Sequence, residues 1–112
     1  MALEVDTKVL ETTESGFLVD AKDWTERVAQ VMAQAEGIEL TPRHWDVINY
    51  LREQYFGHGE QPTNREMLKA MQEIWQDPKT DSKTLYALFP GNPSKQAGRI
   101  AGLPESKRKG GY

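Results

Sequence analysis

The chain has no cysteine in its 112 residues. That excludes disulfides, a thiolate nucleophile, thiol redox chemistry and sulfur-ligated metal sites. Long apolar runs are missing too: no stretch approaches the roughly 20 residues needed to span a bilayer. Met1 to Thr13 carries acids where a secretory leader would need a basic start and an apolar run. A cytoplasmic, non-membrane protein is therefore expected. Histidine is scarce. His44 and His58 stand alone, without H-x-x-x-H spacing, so no zinc ligand set is expected. His44 reads as a surface or core-edge residue and His58 as a loop residue between Gly57 and Gly59. There is no Gly-x-Ser-x-Gly turn and no phosphate-cradling glycine loop leading a strand–helix unit. An independent active site, a metal and a cofactor are all unexpected.

What is present is an ordinary soluble balance, 38% hydrophobic and 28% charged residues, with a formal net charge of -3. The length favours one domain. A mildly acidic chain lacks the global field of a strong nucleic-acid binder. The first twenty residues read as two or three short antiparallel strands with turns at Asp6-Thr7 and Glu14-Ser15-Gly16. The period then changes. Trp24, Val28, Val31, Met32 and Ala35 form one helical stripe, with Asp23 as cap, Glu26 closing a capping box and Gly37 as terminator. Thr41-Pro42 opens a second helix carrying Trp45, Ile48, Leu51 and Tyr55, stopped by Gly57 and Gly59. Thr63 and Glu66 form a capping box before Met67, Leu68, Met71, Ile74 and Trp75, and Asp77-Pro78 ends that helix. A short helix from about Asp81 carries Leu85, Leu88 and Phe89 and halts at Pro90. Asn92-Pro93 caps and opens a last helix closed by Gly102 and Pro104.

The expected fold is mainly α, a compact orthogonal bundle of about five helices over residues 23–102, with an antiparallel β-hairpin region at about 3–19. One domain spans 1–104, and residues 105–112 form a mobile basic arm. Methionines and tryptophans on the stripes are core filler rather than a cofactor box, and capping accounts for several of the carboxylates. The electrostatic asymmetry lies at the end of the chain. Lys95 and Arg99, four apart, share a helix face, and Lys107, Arg108 and Lys109 follow. Set in an acidic chain, these five cations suit an acidic groove on a protein partner, where steering speeds encounter. An alternative reading joins the second and third helices as a helix-turn-helix that presents Asn64, Arg65 and Lys69 to DNA, as a transcriptional regulator would; the scarcity of bases weighs against it.

Two long ordered segments carry a family resemblance. Leu85 to Ala97, read as Leu-Tyr-Ala-Leu-Phe-Pro-Gly-Asn-Pro-Ser-Lys-Gln-Ala, continues to Arg99 and Ala101-Gly102-Leu103-Pro104. It resembles the C-terminal signature of the DsrC/TusE/DsvC sulfur-relay proteins. Leu40 to Arg52 resembles the central helix of the same family, and Glu4-Val5-Asp6, Gly16-Phe17-Leu18 and Asp23-Trp24 also fit. The resemblance implies a small helical domain with an N-terminal hairpin and a C-terminal arm whose cysteine passes sulfur as a persulfide. The relay serves dissimilatory sulfite reductase or tRNA thiolation, and DsrC proper has a second, upstream cysteine. Here the match breaks at both places: Gly98 occupies the upstream position, and the terminal one falls within Lys109, Gly110 and Gly111. A persulfide needs a thiolate. The expectation is a non-catalytic binding or regulatory paralogue that meets a sulfur-relay or sulfite-reductase partner through Lys95, Arg99, Lys107, Arg108 and Lys109.

Overall fold

The computed structural model describes residues 2–105. Strand β1 (Ala2–Val5) pairs antiparallel with β2 (Lys8–Glu11) in the register Ala2 to Glu11 and Val5 to Lys8. The two-residue turn between them places Asp6 at a φ of 56°, a left-handed conformation that aspartate tolerates better than most side chains. A bridge from Thr12 to Leu18 extends the ribbon and brings Phe17 and Leu18 into the interior. Among the described residues, a single 3-10 turn (Ala21–Asp23) leads to five helices: α1 (Glu26–Ala35), α2 (Pro42–His58), α3 (Asn64–Ile74), α4 (Ser82–Leu88) and α5 (Pro93–Ile100). The mainly helical fold with one antiparallel hairpin agrees with the sequence. No helix among the described residues is long and apolar enough to cross a membrane.

The caps show which local signals decided the boundaries. Thr63 and Glu66 close a capping box on α3 as expected, Thr63 Oγ accepting from the Glu66 N–H at 3.2 Å while Glu66 accepts from the Thr63 N–H at 3.1 Å. Pro42 takes the first position of α2. Asp23 does not cap α1. Asp20 caps the short turn before it, accepting from the Lys22 N–H, and Thr25 caps α1 by accepting from the Val28 N–H at 3.2 Å. Trp24 therefore precedes the helix instead of lying on its stripe. The buried stripe is Val28, Ala29, Met32 and Ala33. Helix α2 runs through Gly57, and His58 is its last residue, so His58 is helical rather than a loop residue. Gly59, at a φ of 71°, ends it. Helix α3 stops two residues short of Asp77-Pro78, where Gln76 turns left-handed at a φ of 50°.

The core is one cluster. Met67 and Met71 of α3, Val47, Ile48 and Leu51 of α2, and Leu85 with Phe89 meet Ala97 and Ile100 of α5 and Leu103 just beyond it. Helix α5 packs against α1, α2, α3 and α4, which makes it the hub of the domain. The short buried side chains of Ala97 and of the C-cap, Ala101, let the other helices approach closely.

Candidate functional site

Helix α5 carries Lys95, Gly98 and Arg99 of the residues that the sequence singled out. Its start is not capped by Asn92. That residue has a φ of 82° and makes no capping bond from its own side chain. Asn64, at the start of α3, caps α5 from outside: its Oδ1 accepts from the Ser94 N–H at 2.7 Å and its Nδ2 donates to Asn92 Oδ1 at 3.1 Å. The amide proposed to read DNA thus serves the fold, and the helix-turn-helix reading finds no support.

Gly98 lies buried in α5 with ordinary helical geometry. A Cβ built there meets only Leu103 Cδ1, at 3.9 Å. Neither the backbone nor the packing requires glycine where the family resemblance places the upstream thiol.

Arg99 is tied into the domain. It pairs with Glu36 at the end of α1, donates from Nη1 to the Ser15 carbonyl at 3.2 Å, and lies over the Phe17 ring at 5.7 Å. Gln96 donates to the same Glu36 carboxylate at 3.0 Å and accepts from the Gly91 N–H at 2.8 Å. One carboxylate thus joins α1, α5 and the turn at Ser15. A groove of about 380 Å³ opens beside it, lined in part by Leu3, Gly16, Met32 and Ala35. Lys95 is half-buried one turn earlier on α5. Lys107, Arg108, Lys109 and Gly111, and with them the expected mobility of the arm, lie outside the described residues. Among the described site residues, only Lys95, Gly98 and Arg99 are brought together, on α5.

Three features were not foreseen. His44 is only 6% exposed and is a structural residue. Its Nδ1 accepts from the Thr41 N–H at 3.0 Å, filling the place of Glu in a capping box. Its Nε2 lies 2.9 Å from the Leu88 carbonyl and so carries the proton. Both ring nitrogens are occupied, which leaves no lone pair for a metal. Burial lowers its pKa below the ordinary 6.5, partly opposed by the bond to Leu88. The second feature is the close of α5. There the Trp24 indole donates to the Ile100 carbonyl at 2.8 Å and Arg52 Nη1 to the Ala101 carbonyl at 2.7 Å. The Arg52 guanidinium stacks between the rings of Trp24, at 3.7 Å, and Phe56, at 4.7 Å, and burial lowers its pKa. The third is a second indole bond on α2 and α3: Trp75 donates to Asp46 at 2.7 Å with Arg43 over its ring at 4.5 Å. A polar edge seeking an acceptor was the available signal for both indoles, but their partners are distant in sequence.

Among the described residues, no three of His, Cys, Asp and Glu come together as a metal site. The described residues thus form a small, mainly helical fold in which α5 packs against the other four helices. The family described as DsrC like protein matches residues 4–108, and the chain belongs to that family. It is 41% identical over 103 residues to the sulfurtransferase TusE of Yersinia pestis, covering 92% of this chain and 94% of that one. The solution structure of Allochromatium vinosum DsrC superposes with a TM-score of 0.87 at 44% identity, covering 97% of this chain and 99% of that one. The oxidized gamma-subunit of the dissimilatory sulfite reductase (DsrC) of Archaeoglobus fulgidus also gives 0.87, at 37% identity over the same shares.

Proposed function

We propose that this chain is a cytoplasmic, non-catalytic member of the DsrC-like family that docks onto a sulfur-relay or sulfite-reductase partner without carrying sulfur. One observation carries the reading: a family-wide match through residue 108 coexists with a cysteine count of zero. Relatives are named sulfurtransferases, yet relay through a persulfide requires a thiolate. Methionine thioethers, serine and lysine cannot supply one. Such a chain competes with, or reports on, cysteine-bearing relatives at a shared partner.

The docking face is the α5 end with the basic tail: Lys95, Arg99, Lys107, Arg108 and Lys109. An excess of positive charge there complements an acidic groove and sets the encounter rate more than the final affinity. Arg99 has a prior task in holding Glu36, so its part in docking is to fix the surface as much as to touch the partner. Pull-down of the purified chain against sulfite-reductase and sulfur-relay components tests the reading. Recovery of one of them, reduced when Lys95, Lys107, Arg108 and Lys109 are changed to Glu, is the expected result. Recovery of none of them, or equal recovery with the quadruple variant, contradicts the proposed partner class or face respectively.

A further inference from the structure

The end of α5 is closed in an unusual way for so short a helix. The four carbonyls that the last turn leaves without intrahelical partners belong to Gly98, Arg99, Ile100 and Ala101. The first two are satisfied locally: the Leu103 N–H reaches Gly98 at 3.0 Å and the Gly102 N–H reaches Arg99 at 3.1 Å. This is a Schellman turn with Gly102 in the left-handed position at a φ of 80°. The other two are taken from outside by Trp24 and Arg52. The chain is then held once more, because Gln61 Nε2 donates to the Pro104 carbonyl at 2.9 Å. Between these bonds Leu103 is buried in the core at 3% exposure. Gly102 lies so close to Trp24 that a Cβ would fall 2.4 Å from the indole Cδ1.

We propose that Trp24, Arg52 and Gln61 form a latch of positioning residues that fixes the point and direction from which the C-terminal segment leaves the domain. Each comes from a different part of the chain: the approach to α1, the middle of α2, and the connection from α2 to α3. A bond from each sets the chain in three dimensions, as a single bond could not. Arginine is specific to its place. Its planar guanidinium stacks on two rings while one nitrogen reaches a carbonyl, and a lysine ammonium cannot do both. The latch ends at Pro104, just before the basic residues of the proposed docking face in the sequence. A root fixed in advance lowers the entropy cost of engaging a partner there. That use by a partner rests on the function proposed above; the latch itself does not.

The lack of cysteine makes the test direct, since labels enter without removing native thiols. Spin labels are placed at Glu105→Cys and Lys83→Cys to read the root against the body, and at Glu73→Cys and Lys83→Cys to read the body alone. The otherwise unaltered chain is expected to give one narrow distance distribution for each pair. In Arg52→Lys with Gln61→Ala the root pair loses its narrow maximum and the body pair keeps it. A merely structural role would broaden both pairs or neither. A root pair as narrow in the double variant as in the parent overturns the latch. If the double variant broadens both pairs, Gln61→Ala alone decides, because its bond lies at the surface: a broadened root pair supports the proposal and an unchanged one overturns it. No partner is needed, so a failed pull-down sinks the docking reading and leaves this answer standing.

Discussion

Gly98 and Gly102 stand four residues apart on either side of the α5 terminus, and they have opposite reasons to be glycine. Gly102 has a left-handed φ of 80° and is pressed onto Trp24, so no other residue fits. Gly98 is helical, and a Cβ there would meet only Leu103 Cδ1 at 3.9 Å, so a methyl group fits. The root of the C-terminal segment is therefore dictated by packing, whereas the missing upstream thiol is not. A domain whose architecture forced the thiol out would say little about function. Here neither the φ nor the room for a Cβ demands the glycine that stands at that position.

The largest effect that would break this contrast is at the root. Gly102→Ala must adopt a strained φ and displace an indole, and a loss of about 3 kcal/mol is expected, measured by urea unfolding. Arg52→Ala removes a charged bond to a helix carbonyl and a guanidinium between two rings. A loss of about 2 kcal/mol is expected, with Trp24 fluorescence changing as its stacking partner goes. At the other glycine the sign reverses. Gly98→Ala gains helix propensity without a clash, and a stabilisation of about 0.5–1 kcal/mol is expected. A loss there would mean that Gly98 is also dictated by packing.

The comparison has to be made on the alkaline side of His44. Its folded-state pKa is below the ordinary 6.5, so the unfolded chain binds more protons in the window between the two values. Stability is full above 6.5 and falls as the pH drops toward the folded pKa. Protonation at Nδ1 would also set two hydrogens against each other at the Thr41 N–H. Melts at about pH 5 and about pH 7.5 should show a smaller difference for His44→Gln than for the parent. An equal difference in both would remove His44 from the account.

Sequence signals that act within one turn of chain were legible. Thr63 with Glu66, Pro42, the turn at Asp6-Thr7, and the left-handed glycines at 37, 59 and 102 all stand where local chemistry placed them. Competition between neighbouring caps was not legible. Asp20, Asp23 and Thr25 all offer oxygen acceptors, and only the fold decides that Asp20 serves the 3-10 turn and Thr25 serves α1. Long-range partners were also beyond reach: Asn64 reaches 28 residues to Asn92 at the start of α5, Trp24 reaches across 76 residues, and Arg99 finds Glu36 across 63. These misses share a cause. A donor or acceptor left over at a helix end advertises a need without naming the residue that meets it. Of the candidate site, the sequence placed Lys95, Gly98 and Arg99 on one helix. It showed neither that Arg99 was already paired nor that Trp24 and Arg52 close the same helix.

The family membership and the zero cysteine count meet in one measurement. The purified chain is incubated with a persulfide-loaded sulfurtransferase donor, alongside Lys109→Cys as a competent control, and intact masses are recorded before and after reductant. The control is expected to gain one sulfur atom that reductant removes, while the native chain keeps its mass. A reductant-removable gain of one sulfur on the native chain would contradict that expectation.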